Sequence, residues 1–134
     1  MRTYLRETLY PNMDSDLKSM IVPVKKYTRI FQASDEAAVN NVETTETVYL
    51  LSDREVFGSS GYETIGAIYS DALTSWITRR RKKYAAASYT GYLLRSSHTK
   101  KNFRYVYYGG GQDNISASTK TGVVVAFNLD IPST

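Results

Sequence analysis

Residues 50–58 read Leu-Leu-Ser-Asp-Arg-Glu-Val-Phe-Gly, and this stretch decides how the centre of the chain folds. The run from 48 to 51 is compact and apolar, which favours a buried strand. Ser52 or Asp53 follows, with Glu55 close behind, an arrangement typical of a capped turn. The centre of the chain is therefore predicted to pass from a buried strand into a capped turn with an apolar side.

Two short helices are predicted before this stretch. The first spans residues 3–10 and has apolar residues four positions apart on one face. The second is capped by Asp14 or Ser15 and continues through Ile21. Neither is long enough to be stable alone, so both are expected to pack against another element.

The segments between the second helix and the central stretch are less clearly patterned. Residues 24–32 fit either a strand or a lid, and both alternatives remain open. Residues 33–45 carry acidic and small side chains with little periodicity, so we predict a loop or a short helical turn there.

The last third of the chain predicts β structure. Residues 92–96 fit one strand, and residues 103–108 alternate as a strand requires. The three glycines at 109–111 provide a turn that tolerates positive φ, after which residues 115–119 return as the partner strand. A final strand over 123–129 is apolar on both faces for most of its length, which predicts a central position covered on two sides.

The composition excludes several classes of protein. The chain has 134 residues, which predicts a single domain over 1–134. It has no cysteine, so thiolate metal sites and thiol catalysis are excluded, and its single histidine, His98, excludes a two-histidine metal motif. No apolar run approaches the roughly 20 residues of a membrane helix, and the N-terminus has no apolar signal core, so membrane insertion is not expected.

The net charge of +4 conceals an asymmetry between the two halves of the chain. Residues 1–71 carry 7 basic and 11 acidic side chains, whereas residues 72–134 carry 10 basic and 2 acidic ones. Half of the ten basic residues in this segment lie in one run, which would suit a polyanion or form a solvated helix end. No nucleic-acid-binding motif accompanies it, so nucleic acid is not expected as a partner. The run consists of Arg79, Arg80, Arg81, Lys82 and Lys83.

Four segments, in order, resemble an uncharacterised bacterial and phage domain family. Residues 50–58 look like its "LLS-x-x-E-V-F-G" signature, and residues 92–96 resemble its "W-W-L-R-S" strand. Residues 122–129 are similar to its closing "G-V-R-P-A-F-N-L". The first ten residues resemble its early helix, "L-R-x-W-L-N-x-x-F-Y".

The resemblance implies a fold and a setting. It implies an α+β, C-type-lectin-like fold, with two short N-terminal helices and a twisted, mainly antiparallel sheet. The family occurs in surface-associated proteins and phage structural proteins, and this fold also carries the variable receptor-binding loops of phage tail tips. The localisation implied is therefore a virion, including a tail fibre, or the cell surface.

This chain departs from the family pattern at several positions. Members usually have a strand before the first helix, so the first strand is missing here or is supplied by another chain or segment. A homo-oligomer or larger assembly is therefore expected, because an unpaired edge is a liability. Val124 and Val125 replace the family's Arg and Pro, and Ser97 replaces the Pro after the Leu-Arg-Ser triplet.

Catalysis and metal binding are not expected. A Ser-His-Asp triad needs its histidine oriented by a carboxylate, and nothing in the sequence brings Asp113 or Asp130 to His98. The trio 112–114 offers calcium one carboxylate, although the ion prefers about six to eight oxygens, and a polar turn explains the trio as well. We therefore predict a protein that is not an enzyme and that has no metal and no cofactor.

The best candidate for a binding surface is the tyrosine-rich region from about 98 to 118, which would contact a cell-surface glycan or protein. In one alternative its aromatic rings face outward. In the other, Phe103, Tyr105 and Tyr107 face the core and leave Arg104 and Tyr108 outside. Arg95 is predicted to bond neighbouring loop carbonyls rather than a ligand. The predicted ligand-binding residues are His98, Lys100, Lys101, Arg104, Tyr105, Tyr107, Tyr108, Gln112, Asp113 and Asn114.

Three functions follow from these observations. The first is a non-enzymatic recognition module that displays the 98–118 loops on a stiff sheet. The second is a purely structural virion or assembly protein whose loops pack on neighbouring subunits. The third is a polyanion binder that acts through the basic run at 79–83.

Overall fold

The computed structural model describes residues 1–32, 37–69, 83–85 and 88–130. Its helical elements are α1 (Arg2–Tyr4), a π turn (Leu5–Leu9), a 3-10 turn (Tyr10–Asn12), α2 (Ser15–Met20), α3 (Asp53–Phe57) and a second 3-10 turn (Gly58–Ser60). The described strands are β1 (Ile21–Val22), β2 (Val24–Phe31), β3 (Ala38–Glu46), β4 (Tyr49–Leu50), β5 (Lys83–Ala85), β6 (Ser88–Thr90), β7 (Tyr92–Ser97), β8 (Asn102–Val106), β9 (Gln112–Ser116), β10 (Val125–Ala126) and β11 (Asn128–Leu129).

The strands of the described residues pair in small antiparallel sets. The largest is a three-stranded sheet in the order β7-β8-β9, and the others are the pairs β1-β11, β2-β3, β4-β10 and β5-β6. A parallel bridge joins Tyr92 to Gly122. The predicted α+β class, with short helices and mainly antiparallel pairing, is confirmed.

Both predicted N-terminal helices are present. The first continues past residue 10 because Pro11 lies at the start of the 3-10 turn, where a helix needs no proline N–H. The second begins at Asp14, whose side chain accepts hydrogen bonds from the N–H groups of Asp16 and Leu17.

The β2-β3 ribbon settles one open alternative and corrects one prediction. Residues 24–31 are a strand, not a lid. The loop or short helical turn predicted over 33–45 is wrong from Ala38 onward, where β3 occupies Ala38–Glu46, and residues 33–36 lie outside the described residues. The register shifts opposite Arg29, where Asn41 adopts a φ of 61° in the left-handed region. The Asn41 carboxamide oxygen accepts a hydrogen bond from the Thr64 N–H at 2.8 Å, which ties the ribbon to the loop after α3.

The apolar core has two parts that lie on either side of the central stretch. One part is the side of α3 packed on the β7-β8-β9 sheet, with Val56, Leu94 and Val106 fully buried. The other joins Leu5 of the π turn to Val48 and Leu50. Burying each such aliphatic side chain contributes about 1.5–3 kcal/mol, so these contacts hold α3 and the N-terminal helix in place.

The closing segment differs from the prediction of one central strand. Residues 125–126 pair with β4, and residues 128–129 pair with β1. Because the segment serves two different partners, it is divided, and the side chains from 123 to 128 are only half-buried. The returning strand of the hairpin also begins earlier than predicted, at Gln112, and ends at Ser116.

The basic run at 79–83 lies outside the described residues, except for Lys83, which begins β5.

Candidate functional site

The stretch at 50–58 builds the polar centre of the molecule. Ser52 is the N-cap of α3, and its hydroxyl accepts a hydrogen bond from the Glu55 N–H at 3.0 Å. The Glu55 carboxylate in turn accepts from the Ser52 N–H at 2.9 Å, which completes a capping box. The predicted capped turn is confirmed, with Ser52 as its cap.

Glu55 also holds two cations from different strands. Lys26 Nζ of β2 lies 2.6 Å from one carboxylate oxygen, and the Arg95 guanidinium of β7 pairs with the other. Lys26 donates a further bond to the Tyr69 hydroxyl at 2.8 Å. A carboxylate needed for the cap therefore also joins the ribbon and the sheet to α3.

Arg95 bonds backbone carbonyls, as the sequence predicted. It donates to the carbonyl oxygens of Leu50 and Tyr27, each at 2.8 Å, and to the Thr28 hydroxyl at 2.8 Å. The carbonyls belong to strands β4 and β2 rather than to loops. The planar fork of an arginine suits this set of acceptors, whereas a lysine has no such geometry.

The ionisation of this cluster reflects a balance between burial and pairing. Burial raises the pKa of Glu55, but the Arg95 charge and the Lys26 bond outweigh it, so the pKa lies below the usual value. For Lys26, burial lowers the pKa and the bonds to Glu55 and Tyr69 raise it, with a net rise. Burial raises the pKa of Tyr49 to about 12 against the effect of Lys26. Near neutral pH, Glu55 and Lys26 are therefore both charged.

A second buried ion pair lies on the sheet side of α3. Arg104 Nε of β8 lies 3.2 Å from Asp53 Oδ1, and Arg104 Nη1 donates to the Asn114 side chain at 2.9 Å. Burial raises the pKa of Asp53 above its usual value, although Arg104 opposes the rise. The pair fixes the β8-β9 hairpin to the N-terminal turn of α3.

Glu63 completes the polar network in the loop after α3. It is fully buried and accepts hydrogen bonds from the N–H groups of Arg29, at 2.9 Å, and Arg54, at 3.3 Å, and from the Ser96 hydroxyl. Among the described residues, no buried side-chain nitrogen or oxygen lacks a hydrogen-bond partner. The network therefore joins the strands on both sides of α3.

The strand β8 places its side chains opposite to the second alternative predicted for it. Arg104, only 8% exposed, and Val106 face the core, whereas Phe103 and Tyr105 lie half-buried on the other face. That alternative is therefore wrong for Arg104, Phe103 and Tyr105, whereas Tyr108 is exposed as it expected. Arg104 is buried because it pairs with Asp53, and a buried carboxylate requires a nearby cation.

His98 contacts an aromatic residue that the sequence did not single out. Its Nδ1 lies 2.8 Å from the Tyr62 hydroxyl, and the two rings stack with centroids 6.0 Å apart. The guanidinium groups of Arg29 and Arg104 lie 4.3 Å and 4.6 Å from the centre of the Tyr62 ring. No motif marks Tyr62, since the cluster forms only when three separate segments pack together.

The tip of the β8-β9 hairpin presents an aromatic side chain to solvent. Tyr108 is 69% exposed and stands edge-on to Tyr107, with ring centroids 5.6 Å apart. The Tyr107 ring occupies the space beside Gly109 and Gly111, where an added Cβ would lie 2.5 Å and 2.3 Å from ring carbons. Gly110, between them, has a φ of 92°, a value that favours glycine.

Some of the other predicted ligand-binding residues lie near this tip, and others lie elsewhere on the hairpin. Asp113 is exposed and lies directly opposite Tyr105 in the β8-β9 register. Gln112 donates to the Ser60 carbonyl oxygen at 3.2 Å, next to the turn after α3. Lys100 and Lys101 are exposed at the opposite end of β8, so they do not join the tyrosine-bearing tip.

A groove of about 650 Å³ opens between the β2-β3 ribbon and the outer face of the sheet. Ile30 and Val42 line its ribbon side, and Leu93 and Phe103 line its sheet side. Its lining is mainly apolar, and the Arg95 charge that reaches it is already paired with Glu55. The sequence could not indicate this groove, because it depends on how the ribbon packs over the sheet.

Two kinds of feature are absent from the part of the chain that the structure describes. There, no three histidine or acidic side chains gather in a group able to hold a metal ion. No helix in the same residues has the length and apolar character needed to cross a membrane.

These features define an α+β domain built around the capped stretch at 50–58, with buried ion pairs that fix a tyrosine-bearing hairpin. The chain belongs to the family described as "Domain of unknown function (DUF6273)", whose model matches residues 1–131. The predicted membership of an uncharacterised domain family is thereby confirmed. Neither a curated protein nor a solved structure matched the chain.

Proposed function

We propose that this protein is a non-enzymatic recognition domain with a C-type-lectin-like fold. It would act in a phage virion or a bacterial surface protein and bind a cell-surface glycan or protein through the hairpin region at 98–118. The observation that carries the proposal is the exposed Tyr108 at the tip of a hairpin whose other side is fixed to α3.

The rigidity of the scaffold supports this function. Arg104 and Asn114 hold the two strands of the hairpin to each other and to Asp53. The Tyr107 ring packs into the glycine turn and limits its movement. A surface that is ordered before binding loses little conformational entropy when it binds, which favours affinity.

The chemistry of the tip also supports recognition. A tyrosine offers a large apolar face with a polar hydroxyl and has few rotatable bonds to immobilise. Asp113 and the tyrosine hydroxyls add direction to such a contact. His98 Nδ1, by contrast, is engaged by the Tyr62 hydroxyl, whereas a catalytic triad needs a carboxylate to orient its histidine.

The proposal is tested by cell and glycan binding with matched variants. Fluorescently labelled protein is applied to a panel of bacterial cells and to a glycan array, and Tyr108→Ala is compared with Tyr4→Ala. Tyr4 is a suitable control because it is 53% exposed but lies on α1. We expect Tyr108→Ala to lower binding at least about tenfold, as truncation of an aromatic anchor does, and Tyr4→Ala to leave it unchanged. Equal binding by both variants and the parent would contradict the proposal.

The open groove favours a second candidate, an architectural role in a particle. An apolar surface of this kind is often an interface, because covering it removes apolar area from water. In that role the groove, and not the hairpin tip, would contact neighbouring subunits. Sedimentation distinguishes the two functions, since a stable monomer favours recognition, whereas an oligomer that Ile30→Asp dissociates favours the architectural role.

A further inference from the structure

The end of the β8-β9 hairpin that leads into the turn carries one acidic residue and two tyrosines. Asp113 and Tyr105 are direct cross-strand partners, so their side chains are neighbours on the same face of the sheet. Tyr108, at the tip, is exposed to solvent. The Tyr105–Asp113 pair lies one register position from the end of the β8-β9 ladder, and the turn that follows carries Tyr108. We call the side chains of Tyr105, Tyr108 and Asp113 the Tyr-Asp surface.

Asp113 has capacity to accept further hydrogen bonds. Its Oδ1 accepts from the Asn114 N–H at 2.8 Å, and no ion pair within the described residues involves it. Asp113 and Asp130 are the only acidic residues of the otherwise basic segment 72–134. The Asp113 carboxylate is therefore one of only two negatively charged side chains in the basic second half of the sequence.

The pKa of the neighbouring Tyr105 phenol is consistent with its position opposite Asp113. Burial raises the pKa of Tyr105 above its usual value, and the charge of Asp113, together with that of Tyr108 once it ionises at high pH, raises this pKa further. The phenol is therefore neutral at physiological pH and can donate its proton in a hydrogen bond. Its ring keeps the electron-rich face that attracts cations.

We propose that the Tyr-Asp surface binds the guanidinium group of an arginine side chain on a partner protein. The inference rests on the proposed function, because it assigns a partner chemistry to the same hairpin. A guanidinium is planar, so it can lie over the face of an exposed tyrosine while its N–H groups donate to Asp113. A quaternary ammonium has no N–H to donate, and a lysine ammonium does not stack, so arginine fits both features of the surface.

The experiment is an NMR titration of the whole ¹⁵N-labelled chain with three short capped peptides. The probes are acetyl-Gly-Arg-Gly-amide, the same peptide with citrulline, which is a neutral isostere of arginine, and the same peptide with lysine. We expect the arginine peptide to shift the amide signals of Tyr105, Tyr108 and Asp113. It should bind at least about threefold more tightly than the citrulline and lysine peptides.

Variants identify the contributing groups. Asp113→Asn should lower arginine affinity to that of citrulline, and Tyr108→Leu should lower it by about threefold, whereas Tyr108→Phe, which keeps an aromatic face, should not. Tyr4→Leu is the control and should change nothing. Equal affinity for arginine and citrulline, or tetramethylammonium binding as tightly as arginine, would overturn the inference.

The outcomes separate this inference from the function on which it rests. If Tyr108→Ala abolishes binding to cells or glycans while arginine and citrulline peptides bind equally, the arginine assignment fails and the recognition function stands. If Tyr108→Ala leaves target binding unchanged, the recognition function itself fails.

Discussion

At the scale of single residues, the Glu55 carboxylate connects three elements of the fold. It accepts from the Ser52 N–H as part of the capping box and pairs with both Lys26 and Arg95. One carboxylate thus joins α3 to β2 and β7. The pairing with Arg95 joins the 50–58 stretch to the Leu-Arg-Ser strand, β7.

Glu55→Gln should destabilise the protein strongly. The change keeps the size of the side chain but leaves two buried cations without their counter-charge, which costs about 3–5 kcal/mol. Urea denaturation measures the difference in unfolding free energy. The matched control is Glu43→Gln, whose exposed partner Lys25 lies 3.5 Å away and whose loss should cost less than about 1 kcal/mol. Similar losses for the two variants would show that Glu55 does not hold the network.

Stability should fall in acid because of the same group. The pKa of Glu55 is lower in the folded chain than its usual value of 4.5, so the unfolded chain binds more protons between the two pKa values. The contribution of Glu55 is complete above pH 4.5 and is lost as the pH falls through the lower, folded pKa. Asp53, whose pKa is raised by burial, acts in the opposite direction.

The comparison that isolates this effect is the pH dependence of unfolding in the parent and in Glu55→Gln. We expect the unfolding free energy of the parent to fall more steeply below pH 4.5 than that of the variant. Parallel curves would mean that Glu55 has the same proton affinity in the folded and unfolded chains.

Two arginines show what the sequence alone can predict about single side chains. Arg95 lies in a strand next to the central stretch, and its bonding to carbonyls was predicted correctly. Arg104 was expected on the surface, because an arginine in an alternating strand is usually exposed. Its partner Asp53 is 51 positions away, and no local pattern marks that distance.

At the scale of elements, the β8-β9 hairpin depends on the fit between its glycines and Tyr107. Gly111 has no positive φ, so its constraint is steric: an added Cβ would lie 2.3 Å from a carbon of the Tyr107 ring. The ring and the turn therefore determine each other's position. The Tyr108 ring, which stands edge-on to the Tyr107 ring, is oriented by this packing.

A double-mutant cycle tests this coupling. Gly111→Ala should destabilise the protein by about 1–3 kcal/mol, because it overpacks the turn. In a Tyr107→Ala background the same change should cost less than about 0.5 kcal/mol, since the clashing ring is gone. Thermal and urea unfolding of the four proteins give the coupling. Equal costs in both backgrounds would show that the ring does not constrain the turn.

Elements with strong local patterns were predictable, and elements made by pairing were not. The capped turn at Ser52 and the strand β7 follow from a capping box and an apolar run, which act within a few residues. The strand β3 has acidic and small residues without clean alternation, and it forms because β2 provides a partner along its length. The closing segment is divided for the same reason, since β4 and β1 each bind a part of it.

At the scale of the whole molecule, the polar network compensates for the small size of the sheets. Apart from the β7-β8-β9 sheet, the described strands form separate pairs, and isolated pairs of this size are only marginally stable. Glu55, Asp53 and Glu63 bond groups on both sides of α3 and so join these pairs through side chains. The candidate surfaces, the hairpin tip and the groove, lie on this shared framework.

The central claim is that the framework holds the hairpin tip ready to contact a target. Hydrogen–deuterium exchange of the whole chain, with and without the cells or glycan that bind it, tests the claim most directly. We predict slower exchange on binding for the amides of residues 105–113. Protection confined to the groove, at residues 28–30, 42–44 and 93, with none at the tip, would contradict it.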